Sequence, residues 1–292
     1  MRIRSFHPTD RLAIMEISKH TWGGYDQLPY ELDGLIANPN SYLYVLEYKS
    51  RVVAFANLNI IDDGKTGWME HMRVHYRYRK RGFAWAMTQH LLSEAEGLNI
   101  ERLRLATTIE NDATLRITNR IGMRQILQMK LFAKDNFRGI RWKDTSITIE
   151  PCTIEDASAL LKTQPNLIPK NILIHYWHAF DLTKSYLISL GEQFQLWKGE
   201  VNGKLRTLIF AYVKTHAHAP LWCSTIYALD DSSFYSALSQ QLQAAKMALA
   251  QSVLCFHSSP FQGANKIPGL KRNTFSSILV LLEKQHPFLH PC

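Results

Sequence analysis

The chain is short of the residues that brace small secreted folds. Its 292 residues hold four cysteines, Cys152, Cys223, Cys255 and Cys292, widely spaced and without a C-x-x-C pair. Such spacing excludes a disulfide framework or cysteine-built zinc site and reads as buried or free thiols. Glycine (14) and proline (11) are not enriched, and no low-complexity tract or linker breaks the chain. No run approaches the roughly 18 apolar residues that span a bilayer. The opening MRIRSFHPTD lacks the apolar core of a secretory signal. These absences lead us to expect a cytoplasmic protein without membrane contact. Metal ligands are scarce too: His216 and His218 alternate in THAHAP, but no third ligand lies nearby, so no metal is expected.

Acidic residues are the other shortage. There are 34 Lys and Arg against 25 Asp and Glu, a net charge of +9. Residues 1–145 carry 22 against 16, a net of +6, and residues 146–292 carry 12 against 9, a net of +3. The excess gathers in residues 70–87 and 116–143 rather than along one helix face, which fits a localised anionic ligand at least as well as nucleic acid. No aromatic-interleaved basic stripe is present, so no nucleic-acid partner is expected.

What is present is an ordinary globular composition, 46% hydrophobic and 20% charged, long enough for one large domain or two ordinary ones. IRSFHPTDRLAI (3–14) and IEPCTIEDASAL (149–160) share a plan at an offset of 146 residues: Ile3 with Ile149, Asp10 with Asp156, Ala13 with Ala159. In the first copy the pattern predicts a short strand, a cap at Thr9 and Asp10 in the first helical turn. YLYVLEYKSRVVAFANLNII and FQLWKGEVNGKLRTLIFAYV both read as strand, polar turn, strand. We expect two domains of similar plan, 1–143 and 146–292, in a mixed α/β (α+β) architecture.

The first half orders itself as strand (1–6), helix (10–20), further helix within 21–40, hairpin (43–60) and strand (66–74). A helix over 83–96 follows, with Ala84, Met87, Leu91, Ala95 and Leu98 spaced for one face and Gly97 as its stop. A strand (102–108) and a helix (112–121) complete it. Between strand and helix lie five cations within residues 73–81, then Gly82. A strand turning into a helix leaves the first helical N–H groups unpaired, and glycine lets the backbone approach a phosphate. The loop is either a solvated basic turn or an anion site.

WMEHMRVHYRYRKRGFAWAMTQHLL resembles the central motif of the GNAT superfamily of acyl-CoA N-acyltransferases, with Arg79, Gly82 and Ala84 at its three defining loop positions. Tyr76 stands where proline is usual and Lys80 where glycine is frequent. NDATLRITNRIGM resembles the family's later helix, with Asn111, Ala113, Arg116, Arg120 and Gly122 matching and Met123 replacing phenylalanine. The likeness covers residues 1 to about 135. GYDQLPYELDGLIANPNSYLYV and GWMEHMRVHYRYR are similar to the histidine N-acetyltransferase-like branch.

This resemblance implies acetyl-CoA as co-substrate and a GNAT fold followed by a second, degenerate GNAT-like domain. The pyrophosphate would rest on the backbone of Arg79, Lys80, Arg81, Gly82, Phe83 and Ala84, with Asn111 contributing. The main chain of Met72 and Val74 would pair with pantetheine. Glu70 would be the general base, with His71, expected on the opposite strand face, ranked second. Tyr25 would approach the substrate. Many family members place an acidic tyrosine where Thr118 stands here, which leaves the general acid open. In the second half, ALDDSSFYSAL (228–238) puts Asp230 and Asp231, without glycine, where a phosphate loop belongs. The leading expectation is N-acetylation of a small primary amine, such as the α-amino group of an amino acid. The alternatives are a protein N-terminal or lysine acetyltransferase, favoured by an open groove, and a non-catalytic acyl-CoA sensor, distinguished by the absence of CoA release. The sequence does not specify an oligomeric state.

Overall fold

Turn chemistry and side-chain alternation set the sheets. The computed structural model describes residues 1–22, 26–191, 194–216, 218–258, 267, 269–270 and 274–285. They divide into two compact units. Unit 1 takes Met1–Leu105, Ala113–Arg124 and the described residues from Leu282 onward, and unit 2 takes Ala106–Asp112 and Gln125–Leu281. This division differs from a single cut near residues 143–146, because segments from each half enter both units.

In unit 1, β1 (Arg2–Ser5), β2 (Ser41–Tyr48), β3 (Arg51–Ile61) and β4 (Thr66–Val74) lie antiparallel in that order, and β5 (Arg102–Thr108) starts parallel to β4. The β2–β3 hairpin turns through Lys49 and Ser50, both at positive φ (+50° and +58°). Strand twist favours that two-residue geometry, which usually calls for Asn or Gly. Alternate residues of the hairpin then face two cores. Leu43, Val45 and Phe55 pack with α1 (Arg11–Lys19) and α2 (Leu28–Ala37) through Ile14, Ile17, Leu28 and Leu32. Tyr44, Leu46, Ala54, Ala56 and Leu58 pack on the other face with Phe83, Met87, Leu91 and Ala95 of α3 (Phe83–Gly97).

The capping side chain is His7, not Thr9, on the 3-10 turn Pro8–Asp10 that leads into α1. The His7 ring accepts from Thr9 N, and buried Asp10 accepts from His7 N (2.8 Å) while paired to Arg4. Pro8 supplies the first helical φ, which draws the cap two residues earlier. At the 146-residue offset, Thr153 and Asp156 form the same reciprocal box ahead of α5 (Ile154–Thr163).

After β5 come α4 (Asp112–Arg120), β6 (Arg124–Asp135) and β7 (Ile149–Cys152). Past α5, unit 2 adds a small hairpin, β8 (Ile172–His175) and β9 (His178–Asp181), then α6 (Lys184–Ser189). Next are β10 (Gln195–Val201), β11 (Lys204–His216), β12 (Ala219–Ala228), α7 (Asp231–Met247), β13 (Ser252–Ser258) and β14 (Phe275–Gln285). The antiparallel run β7–β10–β11–β12, followed by parallel β13, repeats the plan of unit 1. Asn202-Gly203 turns the β10–β11 hairpin with both φ positive, matching Lys49-Ser50.

The first half lends β6 to unit 2, and the second half lends the end of β14 to unit 1. Within unit 2, β6 pairs antiparallel with β13 from Met129↔Ser258 to Asp135↔Ser252. The end of β14 belongs to unit 1, where Leu282 joins the α3-face core and Lys284 Nζ donates to the Ile121 carbonyl (2.7 Å). Buried Arg104 sits between Glu283 (2.7 Å) and Asp62 (3.3 Å).

Candidate active site

β4 and β5 pair only at Thr66↔Arg102, Gly67↔Leu103 and Trp68↔Arg104. A register shift then interrupts β3–β4, where Phe55 faces Arg73 but Asn57 faces Glu70, so β4 carries one extra residue. His71 lies in that bulge at φ +53°. A bulge bends a strand and locally disrupts its ladder. The outer part of β4 leaves β5, and its alternation resets: Glu70 and Arg73 share the α1/α2 face with Asn57 and Phe55. Met69, Met72 and Val74 pack on the α3 face.

The basic loop follows. Tyr76–Tyr78 make one 3-10 turn capped by the His75 ring, which accepts from Arg77 N (3.2 Å). Burial and nearby Arg77 hold the His75 imidazole below its ordinary range. Lys80 (φ +62°) and Gly82 (φ +80°) are both left-handed. This explains why glycine would suit position 80, where lysine carries a backbone cost of about 1–2 kcal/mol. Gly82 is the N-cap of α3, and no side chain caps the helix. The first N–H groups of α3 therefore face outward with the positive end of the helix dipole. The basic side chains are engaged locally. Arg79 donates to the Val74 carbonyl (3.2 Å) and the His20 carbonyl (3.3 Å), tying the loop to β4 and to the end of α1. Arg77 donates to Tyr76 OH, and Arg81 lies over the Tyr78 ring. The Met72 carbonyl accepts from Arg73 Nη1 (3.1 Å).

On the α1/α2 face, the Glu70 side chain is 10% exposed and that of His71 14%, with Glu70 Oε2 3.8 Å from His71 Nε2. The bulge thus sets His71 beside Glu70 rather than on the opposite face of a regular strand. Asn57, fully buried, donates Nδ2–H to Glu70 Oε1 (2.9 Å) and accepts at Oδ1 from the Ser41 hydroxyl (2.9 Å). Arg73 forms a two-pronged pair with buried Asp26 (3.0 and 3.1 Å) and lies over Trp22 at 4.2 Å. The phosphate-loop and later-helix motifs gave no sign of Asn57, Ser41, Asp26 or Trp22, although Asp26 and Ser41 lie within GYDQLPYELDGLIANPNSYLYV. Tyr25 lies outside the described residues.

Around α4, Asn111 donates to Thr107 (2.9 Å). Arg120 lies 3.8 Å over the Trp85 ring. Thr118 is buried and its hydroxyl donates to the Leu115 carbonyl of its own helix (3.0 Å). That hydroxyl is turned away from the role a tyrosine would serve. Among the described residues no group of three possible metal ligands occurs, and no helix is long and apolar enough to cross a membrane.

The splayed parallel strands, the uncapped glycine-led helix and the bulge define one architecture, and residues 11–123 match the acetyltransferase (GNAT) family model. This segment is similar to a GNAT domain. Among curated proteins the chain is similar to "Probable N-acetyltransferase 16" of Homo sapiens, 22% identical over 220 residues, covering 67% of this chain. The match spans 58% of that relative's length. Among solved structures, a GCN5-related N-acetyltransferase from Sphaerobacter thermophilus superposes with TM-score 0.63 at 12% identity, covering 97% of this chain and 95% of that one. A tandem GNAT protein from the clavulanic acid biosynthesis pathway gives 0.56 at 13%, covering 97% and 98%. These likenesses establish a fold of two GNAT-like units.

The second unit repeats the GNAT plan without its cleft. Parallel β12 and β13 stay paired over six positions, Leu221↔Ser252 to Ile226↔His257. Asp230 caps α7, accepting from Ser233 N (2.8 Å) and pairing with Arg206. The helix end that would receive a phosphate is already occupied by the chain's own carboxylate. Unit 2 instead carries an open depression of about 630 Å³ edged by His175, Phe180, Tyr186 and Phe194. His175 Nδ1 meets Tyr186 OH at 2.9 Å, and surrounding rings desolvate the imidazole, pushing it down to about 3.

Proposed function

We propose that the chain is an acetyl-CoA-dependent N-acetyltransferase that acetylates the primary amine of a small molecule. The α-amino group of an amino acid is the expected acceptor, histidine among the candidates. One observation carries the reading: beyond Trp68, where its pairing with β5 ends, β4 bulges at His71 and presents Glu70 on the face opposite α3. A thioester arm held in the opening, its diphosphate on the α3 N-terminus, would be met by an amine arriving from the α1/α2 side. The GNAT family uses acetyl-CoA, and the geometry fits it: outward backbone donors at residues 82–85 suit a diphosphate, and outer β4 offers main chain beside the gap.

In this reading Glu70 takes a proton from the ammonium, and the free amine nitrogen attacks the thioester carbon. Backbone donors near the gap hold the resulting oxyanion. Collapse breaks the C–S bond, and the nitrogen gives its second proton to solvent, leaving the neutral amide. The leaving sulfur takes its proton from solvent or from a residue other than Thr118, whose hydroxyl is committed to Leu115.

The test is thiol release from acetyl-CoA across free amino acids, polyamines and N-terminal peptides. Turnover on free amino acids with little on peptides supports the proposal. Preferential turnover of peptides would make the acceptor a protein terminus, and tight acetyl-CoA binding without thiol release would make the protein a sensor.

A further inference from the structure

Two side chains outside the phosphate-loop and later-helix motifs govern how Glu70 is presented. A carboxylate on an open strand face can rotate about its last bond and offer either oxygen. Here Asn57 prevents this. It lies directly across from Glu70 in the β3–β4 register, fully buried, and donates Nδ2–H to Oε1. Its own amide could flip, turning Oδ1 toward the carboxylate, where two acceptors would repel. The ionised carboxylate, which can only accept, selects the Nδ2 end, and the Ser41 hydroxyl adapts to that choice by donating to Oδ1, holding the amide in place (2.9 Å). Ser41 is in turn set by its backbone, whose N–H donates to the Asn38 carbonyl (3.0 Å) at the end of α2.

From this geometry, and resting on the acetyl-transfer reading above, we infer that Ser41 and Asn57 are positioning residues that hold the Glu70 carboxylate by Oε1, with Oε2 turned toward His71 Nε2 (3.8 Å) and Arg73 on the same strand face. The arrangement has a second consequence. A hydrogen bond to a carboxylate favours its ionised form. Asn57 therefore keeps Glu70 ready as a base at lower pH than it would be alone, and burial ensures that water does not replace the lost donor.

The experiment compares the wild-type protein, Glu70→Gln, Asn57→Leu and Ser41→Ala, full length, with acetyl-CoA and the best amine from the panel. Asn57→Leu keeps the side-chain volume and removes the donor. We expect the acid limb of its kcat/KM profile to move up by about one pH unit, the tenfold that a bond to a charged group typically carries. KM for acetyl-CoA should stay unchanged. Ser41→Ala should move the limb in the same direction by less, since it loosens the amide without removing the donor to Glu70. Asn57→Asp, which sets a like charge against Glu70, should move it furthest. If Asn57→Leu does not fold, the Ser41→Ala and Asn57→Asp limbs decide the matter. A limb unmoved in the folded variants, while Glu70→Gln is inactive, overturns the positioning role and leaves the base assignment standing. Full activity in Glu70→Gln overturns both, as does a wild-type protein that binds acetyl-CoA and acetylates no amine.

Discussion

Gly82 shows how much one missing side chain can carry. A Cβ built there meets nothing within 4 Å, so space does not demand glycine; the backbone does, at φ +80°. Asp230 at the matching helix end of unit 2 shows the alternative, a carboxylate that caps its own helix. Gly82→Asp should convert the first arrangement into the second, with its carboxylate taking the α3 donors and repelling a diphosphate. We expect acetyl-CoA affinity to fall on the order of 100-fold by titration calorimetry, about two lost charge-assisted bonds, with the fold intact by circular dichroism. Unchanged affinity would remove the loop from the binding site. Glu70→Gln tests the chemistry at the same scale: normal acetyl-CoA binding, with turnover lower by about 10²–10⁴, the usual value of a general base. The deficit should shrink at high pH as free amine becomes abundant.

At the scale of elements, the two hairpins answer the same geometric demand differently. Asn202-Gly203 is the residue pair such a turn prefers, whereas Lys49-Ser50 holds the same positive φ values against side-chain sterics. Replacing Lys49 and Ser50 by Asn and Gly should raise stability by about 1–2 kcal/mol in denaturant unfolding, since non-glycine residues in that region each cost of that order. Turnover should not change. The alternating hydrophobic pattern and the spacing of Met87, Leu91 and Ala95 made β2, β3 and α3 legible in advance, as did glycine at both ends of α3. The cap at His7 was not, because Pro8 moved the helix start and histidine is an uncommon cap.

At the scale of the molecule, the strand exchange makes the N-terminal unit depend on the chain's far end. A protein ending before Leu282 should lose cooperative unfolding and acetyl-CoA binding together. Arg104→Met, which takes this partner from Glu283 and leaves Asp62 to Arg102 (3.6 Å), should cost about 3–5 kcal/mol in chemical denaturation. Acid is the other whole-molecule lever. Burial holds His175 near 3 and His257 near 4, below the ordinary 6.5. Unfolded chain binds protons at these sites below about pH 6.5 while the folded state does not. Stability is therefore full above that pH and lost as pH falls toward 3 to 4, each unit of separation being worth about 1.4 kcal/mol. Melting temperatures across pH 4–7 should show a steep decline that His175→Asn and His257→Asn flatten; equal slopes would assign the acid lability to other groups.

The sequence by itself determined the local parts: the R-x-x-G-x-A loop, the uncapped helix behind it, the later N-x-A helix, and a second copy whose Asp230 closes the corresponding end. Each is a demand of a few adjacent residues on their own backbone, met or refused by side chains that can be read off in order. Tertiary structure alone decided which residues meet. The extra residue at His71 becomes a bulge only against β3, and that register brings Asn57 to Glu70 and turns His71 beside it. Arg79 is spent on the carbonyls of Val74 and His20, and β6 and β14 end in units away from their own halves. Register and partner choice are set by burial of segments distant in the chain, and no local spacing encodes them.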